Sequence, residues 1–299
     1  MGPAVARRRL SRVSGDLDRR TGGRDAVRGY VLMDVVEVAG LRIAYERVGR
    51  GSPLVLLHGY VGDGPATWRR QIEALAEHFT VIVWNAPGVD GSSDPDEMIG
   101  MAGYADHLAA FLEALGITDA HVMGLSFGGA LALEFAHRHP DVPITLILVS
   151  AYAGWRGSLP ADVAEARLRQ AIELADLAPD EFVDTLLPTM FSAGTPQATI
   201  DAFGLSMRQF HPVGFRAMAR ASAEDLSDVL ATIDVPTLLV YGDQDVRAPL
   251  PVAEALQARL PNAQLVVLPG AGHCCNSEAP DEFNRAIVEF LSLNDARTS

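Results

Sequence analysis

Lysine is absent from this chain of 299 residues. All 24 basic residues are arginines, 38 residues are acidic, and the formal net charge is −14. A surface with such an excess of negative charge repels a phosphate backbone, so we expect no nucleic-acid partner. Long apolar runs are also missing, since none approaches the ~18 residues that a membrane-spanning helix needs. The composition therefore predicts a globular protein with neither a nucleic-acid nor a membrane partner.

Cysteine is nearly absent too. The two cysteines, Cys274 and Cys275, are adjacent, and a bond between neighbours would close a small strained ring. They provide no disulfide framework, so we expect a reducing compartment and a cytoplasmic location. Hydrophobic residues make up 48% of the chain, which is enough for one large core or for a core with a smaller accessory domain.

The arginines are concentrated at the N-terminus. Residues 1–32 contain eight arginines and three aspartates. Residues 7–10 (RRRL) resemble the start of a twin-arginine export signal, but no apolar region follows them. Because the first strand pattern begins at Met33, we expect residues 1–32 to be a disordered arginine-rich extension.

The apolar pattern changes along the rest of the chain. It alternates over residues 34–38 and 41–48, around a turn at residues 39–40, which is typical of a β-hairpin. Later runs are continuously apolar, as expected for strands of a parallel sheet that are buried on both faces. These runs are residues 53–57, 80–84, 120–125, 144–149, 236–241 and 264–268.

Helical patterns separate the strands. The alternation of strand and helix predicts an α/β fold, with an eight-stranded, mostly parallel sheet and helices on both faces. Residues 153–233 break the alternation because they contain only helical patterns. We expect this segment to be an α-helical cap, inserted into a core formed by residues 33–152 and 234–299. The predicted helices are residues 65–79, 102–115, 127–138, 252–260 and 280–291 in the core, and 161–177, 197–210, 213–230 and a segment from 179 in the cap.

Residues 124–129 (GLSFGG) carry the strongest functional pattern. Ser126 lies between a predicted buried strand and a predicted helix, with Gly124 and Gly128 two positions away on either side. Such a tight turn forces the serine into a strained backbone conformation and leaves room only for small residues nearby. It also lifts Oγ clear of the sheet, above the positive end of the following helix. G-x-S-x-G also arises by chance, so the other parts of a serine hydrolase site have to support it.

Those parts lie on the loops after the last two predicted strands. His273 is in the glycine-rich loop after residues 264–268, and Asp243 and Asp245 are in the loop after residues 236–241. Catalytic groups of an open α/β sheet gather at the carboxyl ends of its strands. The order serine, aspartate, histidine along the chain is the order that this architecture uses for a Ser-His-Asp triad.

Together these motifs resemble the α/β-hydrolase fold. The resemblance extends from Met33 onward and also rests on residues 56–60 (LLHGY), 86–88 (APG), 242–245 (GDQD) and 270–273 (GAGH). It implies that Ser126 is the nucleophile and His273 the general base and acid. The orienting carboxylate is then Asp245, and Asp243 caps the turn.

The resemblance also implies an oxyanion hole. Its donors are the backbone N–H of Phe127, which follows the nucleophile, and that of Tyr60, which follows His58 and a glycine. His58 is implied to be structural, and no second ligand lies at a metal-like spacing from it. The histidine removes the serine proton during attack on an acyl carbon, and water later hydrolyses the acyl-enzyme. We therefore expect no metal and no cofactor.

The nucleophile narrows the chemistry to acyl groups. Epoxide hydrolases and haloalkane dehalogenases of this fold use aspartate at the elbow, where this chain has Ser126. The elbow and residues 211–220 (HPVGFRAMAR) resemble the branch of 3-oxoadipate enol-lactonases and small-ester hydrolases. We expect a small-molecule ester or lactone as substrate and a monomer or homodimer.

Two other functions stay open. One is a carbon–carbon bond hydrolase, or a cofactor-free perhydrolase or haloperoxidase, with the same triad; the other is a non-catalytic ligand-binding member of the fold. Arg216, or Arg220, is a candidate to bind the carboxylate that an enol-lactone carries. Four cap residues are candidates for an apolar pocket or for packing between cap helices: Trp155, Met190, Phe191 and Phe210.

Overall fold

Eight strands form one sheet. The computed structural model describes residues 33–295. The strands are β1 Asp34–Val38, β2 Leu41–Gly49, β3 Pro53–Leu57, β4 Thr80–Trp84, β5 Ala120–Leu125, β6 Pro143–Val149, β7 Thr237–Gly242 and β8 Ala263–Leu268. They lie side by side in the order β1-β2-β4-β3-β5-β6-β7-β8.

The predicted eight-stranded, mostly parallel sheet is confirmed. Only β2 is antiparallel to its neighbours, β1 and β4, and every other neighbouring pair is parallel. Each predicted strand agrees with the structure to within one residue at either end. Because β3 to β8 all run in one direction, their carboxyl ends meet at a single edge of the sheet, where an α/β protein places its ligands.

Helices cover both faces of the sheet. They are α1 Gly64–Leu75, α2 Gly100–Ala114, α3 Phe127–Arg138, α4 Trp155–Ser158, α5 Ala161–Leu174, α6 Pro179–Leu186, α7 Gln197–Met207, α8 Pro212–Ser222, α9 Leu250–Arg259, α10 Cys275–Glu278 and α11 Pro280–Asp295. Within residues 33–295, no helix combines the length and the apolar character needed to cross a membrane.

Alternate residues of each strand point to opposite faces, so the sheet separates two apolar cores. In β3, Leu54 and Leu56 belong to the core shared with α1 and α11. Val55 and Leu57 belong to the core shared with α2, α3 and the helices between β6 and β7. All four side chains are fully buried, and each contributes about 2 kcal/mol to the stability of the sheet.

The chain between β6 and β7 is helical, as predicted. We call α4 to α8 the helical insert. The predicted bounds of the cap, residues 153–233, stay a prediction. The predicted disordered extension, residues 1–32, lies outside the described residues. One predicted helix is wrong, because residues 213–230 do not form a continuous helix. Helix α8 ends at Ser222, and a 3₁₀ turn follows at Ser227–Thr232. Between them the carboxylate of Asp225 accepts a hydrogen bond from the N–H of Ser227 at 2.9 Å, which favours a turn over a helix.

Two glycines bring the insert and the core into backbone contact. Gly88 follows β4 and has a positive φ of 90°, and Gly214 lies in the first turn of α8. A Cβ atom on Gly88 would lie 2.3 Å from the Cα of Gly214, and one on Gly214 would lie 2.1 Å from the carbonyl oxygen of Gly88. Only residues without a side chain permit this approach.

Candidate active site

Ser126 occupies a strained turn between β5 and α3. Its backbone has φ 53° and ψ −108°, a conformation that residues other than glycine rarely adopt. The N–H of Ser126 donates a hydrogen bond to the carbonyl of Val149 at 2.8 Å, which anchors the turn to β6. The side chain is buried at the edge where the carboxyl ends of the strands meet.

The glycines around Ser126 are required by close backbone contacts. A Cβ atom on Gly124 would lie 2.1 Å from the carbonyl oxygen of Gly128. A Cβ atom on Gly128 would lie 2.3 Å from the carbonyl oxygen of Leu57 in the neighbouring strand β3. Glycine is therefore needed at both positions, because the neighbouring backbone leaves no room for a methyl group.

His273 and Asp245 form a buried pair on the loops after β8 and β7. The Nδ1 atom of His273 lies 2.9 Å from Oδ2 of Asp245, and both side chains are almost completely buried. The other carboxylate oxygen, Oδ1, accepts the N–H groups of Arg247 at 2.8 Å and Ala248 at 2.9 Å. Burial opposes ionisation of Asp245, but the facing imidazole and these hydrogen bonds outweigh it, so the pKa of Asp245 lies below its usual range.

Asp243, the other aspartate of this loop, has a different contact. Its side chain is exposed, and Oδ1 accepts the N–H of Gly270 at 2.7 Å. It therefore ties the loop after β7 to the loop after β8. The two loops also approach closely at Gly242, where a Cβ atom would lie 2.0 Å from the carbonyl oxygen of Ala271. Of the two aspartates, Asp245 faces the histidine.

Two backbone donors lie near Ser126 without a protein acceptor. The N–H groups of Tyr60 and Phe127 donate no hydrogen bond to any residue between 33 and 295, although both residues are buried. A Cβ atom on Gly59 would lie 3.9 Å from the Cβ of Ser126, which places the loop after β3 beside the serine. An oxygen atom bound here would satisfy donors that are otherwise unpaired.

His58 connects the loops after β3 and β4. Its Nδ1–H donates to the carbonyl of Gly59 at 2.5 Å, and Nε2 accepts the N–H of Ala86 at 3.0 Å. Burial lowers the pKa of His58 to about 4, so the ring is neutral at pH 7. These bonds hold the loop that carries the Tyr60 amide.

The apolar residues predicted for a pocket lie on the helical insert. Trp155 is buried with its ring at 5.9 Å from that of Tyr60, edge to face. Phe210 stacks on Phe182 at 3.9 Å and lines a small cavity beside Tyr60. Both predicted residues are therefore near the loop after β3.

Met190 and Phe191 lie against the loop that carries His273. The carbonyl of Met190 accepts the N–H of Cys274 at 3.0 Å. The ring of Phe191 packs edge to face on that of Phe203 at 5.6 Å. A pocket role for the four apolar residues stays a prediction.

Arg216 lies in a different environment from the one expected. Its guanidinium donates two hydrogen bonds to Glu97, at 2.8 and 2.9 Å, and lies 3.6 Å from the carboxylate of Asp176. Within the described residues, neither of the two cavities beside Tyr60 is lined by Arg216. Its positive charge is already neutralised by two carboxylates of the protein.

Two arginines that were not predicted as site residues lie beside Tyr60. Arg247, two residues after Asp245, and Arg167, on α5, line a cavity of about 170 Å³ together with Tyr60. The position of Arg247 on a strand-end loop was the available signal. No signal in the sequence marked Arg167, because its closeness to Tyr60 depends on how the helical insert packs over the sheet.

These features define the class of the protein as a hydrolase built on an α/β sheet. The model of the alpha/beta hydrolase family matches residues 54–286. The chain belongs to the alpha/beta hydrolase family, which confirms the resemblance found in the sequence.

The similar proteins include several hydrolases. The 2-hydroxy-6-oxo-6-phenylhexa-2,4-dienoate hydrolase of Burkholderia cepacia is 30% identical over 280 residues, which cover 88% of this chain and 96% of that protein. A malate-bound thermophilic esterase from Thermogutta terrifontis is 29% identical with a TM-score of 0.80, and the match covers 88% of this chain and 98% of the esterase. The enol-lactonase of Burkholderia xenovorans LB400, at 23% identity, shares the fold with a TM-score of 0.79 over 87% of this chain and 100% of the lactonase.

Proposed function

We propose that this protein is a serine hydrolase of carboxylic esters or lactones. The observation that carries the proposal is the buried pair of His273 and Asp245, in which Nδ1 lies 2.9 Å from Oδ2. This pair lies at the same edge of the sheet as Ser126 with its strained backbone. The similarity to an esterase at 29% identity supports ester chemistry.

The reaction follows from the roles of these three residues. The hydroxyl of Ser126 is a weak nucleophile, so His273 takes its proton at Nε2 while Oγ attacks the acyl carbon. Asp245 holds the Nδ1–H tautomer and stabilises the imidazolium that forms. The imidazolium then protonates the leaving alcohol oxygen, and an acyl-enzyme remains on Ser126. Water repeats the cycle and releases the acid.

The negative charge on the carbonyl oxygen needs donors in the transition state. The amides of Tyr60 and Phe127 are proposed for this role because neither has an acceptor within the described residues. Each donor would contribute about 3 kcal/mol to the barrier reduction, the value of a single oxyanion-hole hydrogen bond.

A panel of p-nitrophenyl esters and lactones tests the function. Native protein should turn over esters or lactones and react with a fluorophosphonate probe, and Ser126→Ala should lose both properties. Ser222→Ala is the matched control, since Ser222 is also buried and its hydroxyl has no partner within residues 33–295. Turnover that survives Ser126→Ala would contradict the mechanism. A native protein that neither labels nor turns over substrate would favour a non-catalytic, ligand-binding role.

Carbon–carbon bond hydrolysis is the second candidate. The observation that favours it is the similarity, at 30% identity, to the Burkholderia cepacia hydrolase. A vinylogous diketone added to the same panel separates the two candidates: faster cleavage of the diketone than of every ester would favour the second. Peroxide-dependent halogenation tests the perhydrolase alternative in the same way.

A further inference from the structure

A cavity of about 170 Å³ lies between the helical insert and the loop after β7. Arg167 of α5 and Arg247 of the loop both line it, together with Thr189 and Tyr60. Two of its lining residues are also connected to the proposed active site. Tyr60 contributes the proposed oxyanion amide, and the N–H of Arg247 is bonded to the carboxylate that faces the histidine.

Arg247 is held in place by neutral groups only. Its Nη1 donates to the hydroxyl of Thr189 at 3.0 Å, and its Nη2 donates to the hydroxyl of Tyr60 at 2.6 Å. The guanidinium carbon lies 5.5 Å from the centre of the Tyr60 ring. Nε is buried and has no acceptor within the described residues. The side chain is therefore fixed and charged, and its buried Nε–H is unused.

Arg167 is held in the same way. Its Nη1 donates to the hydroxyl of Tyr152 at 2.8 Å, and its Nη2 donates to the backbone carbonyl of Arg247 at 3.2 Å. The guanidinium lies over the rings of Tyr152 and Trp155, at 5.5 and 5.7 Å from their centres. The hydroxyl of Tyr152 donates to the same Arg247 carbonyl, so Arg167 and Tyr152 both hold the backbone of Arg247.

Within the described residues, neither guanidinium forms a salt bridge. Within residues 33–295, neither guanidinium has a carboxylate oxygen within the 4.0 Å of a salt bridge. Other arginines do have such partners, as Arg138 has Asp106 and Arg208 has Asp180. In a chain with net charge −14, acidic residues are plentiful. The charge of Asp245 acts on Arg247 at longer range, but its two oxygens are already bonded to His273 and to two backbone N–H groups. Two positive charges that line one cleft are costly without a further negative charge, and an anion bound between them removes that cost.

We propose that this cavity binds a carboxylate carried by the substrate. The proposal rests on the proposed function and narrows it to esters or lactones with a free carboxylate on the acyl portion. Guanidinium groups fit the planar geometry of a carboxylate, with two parallel hydrogen bonds, better than any other cation of a protein. Because Arg247 also binds the Tyr60 hydroxyl, the carboxylate lies on the same side of the site as the proposed oxyanion donors.

Binding to Ser126→Ala tests the anion site without requiring catalysis. The ligands are the monomethyl and dimethyl esters of succinate, glutarate and adipate, measured by calorimetry and by Trp155 fluorescence, because Arg167 contacts that indole. We expect at least one monomethyl ester to bind tenfold or more tightly than its dimethyl ester. In the Ser126→Ala background, a second substitution, Arg247→Gln or Arg167→Gln, should abolish that preference. Added Arg208→Gln, which removes an exposed arginine paired with Asp180, should preserve it.

Further measurements separate the outcomes. Arg247→Lys, which keeps the charge without the planar fork, should retain only part of the preference, and thermal melting shows that each variant is folded. Equal affinity for the monomethyl and dimethyl esters in every pair would overturn the proposal. Inorganic phosphate that displaces the monomethyl ester at equal concentration would overturn the assignment to a carboxylate. Turnover of neutral esters without any preference for anions would contradict the anion site but would support the proposed hydrolase function. Preference for anions without turnover would support the anion site but would contradict the proposed hydrolase function.

Discussion

Replacing Asp245 with asparagine should inactivate the enzyme without disturbing its structure. In the native protein Oδ1 of Asp245 accepts the N–H groups of Arg247 and Ala248, and Oδ2 faces Nδ1 of His273. In Asp245→Asn the amide oxygen must keep the two backbone donors, because turning the NH₂ group toward them would lose two hydrogen bonds worth about 1 kcal/mol each. The NH₂ group therefore faces His273.

An NH₂ group can only donate, and this reverses the tautomer of the histidine. Nδ1 of His273 must then accept, so the ring proton moves to Nε2, the atom that has to receive the serine proton. A triad with this tautomer error loses about 10⁴ in kcat, which corresponds to about 5 kcal/mol of transition-state stabilisation. We expect a loss of that size in kcat/KM for the best p-nitrophenyl ester of the panel, and ¹⁵N NMR of the labelled histidine should show the Nε2–H form.

Asp243→Asn is the matched control. Asp243 accepts the N–H of Gly270 with one oxygen, and the asparagine oxygen can accept it equally well. This variant should retain native kcat/KM and the Nδ1–H tautomer. If Asp245→Asn stays within about tenfold of the native rate, the tautomer argument is wrong. If Asp243→Asn is the variant that loses activity, the carboxylate has been assigned to the wrong residue.

Three further predictions follow from the backbone and from His58. Ser126→Gly should raise the free energy of unfolding by about 1 kcal/mol, because glycine adopts φ 53° without strain. The same variant should abolish turnover. A decrease in the free energy of unfolding, measured by urea titration, would contradict the strain at Ser126. Gly124→Ala should lower that free energy by about 3 kcal/mol, because its methyl group would meet the carbonyl of Gly128 at 2.1 Å; native-like stability would refute the contact. Burial lowers the pKa of His58 from 6.5 to about 4, so between these values the unfolded chain holds a proton that the folded protein lacks. Stability should fall by about 3 kcal/mol as the pH falls through this window, and His58→Asn should remove that slope in urea titrations at pH 4 to 7.

The sheet and the elbow were predictable because they depend on local patterns. Buried parallel strands are continuously apolar, and the turn at Ser126 admits only small residues at Gly124 and Gly128. The approach of Asp245 to His273 was predictable for a related reason, since strand order and direction bring their loops to one edge.

The environments of the arginines could not be predicted in this way. Arg216 was expected near the substrate, yet it pairs with Glu97, a residue 119 positions earlier in the chain. Arg167 reaches the carbonyl of Arg247 across 80 positions. Such contacts depend on how the helical insert packs on the sheet, and no periodicity or motif encodes that. The break after Ser222 was not predictable from periodicity, because it depends on Asp225, which competes with the helix through a single side-chain hydrogen bond.

The contact between Gly88 and Gly214 makes the separation of insert and core adjustable. The two backbones touch with no side chain between them, so this pair sets how close α8 lies to the loop after β4. The methyl group of Gly214→Ala would extend about 1.5 Å, a carbon–carbon bond length, toward the carbonyl of Gly88. It would therefore push α8 away from the loop after β4. A substitution at Gly214 can therefore reshape the cavity beside Tyr60, which is lined by Gly88 and by Phe215 and Met218 of α8.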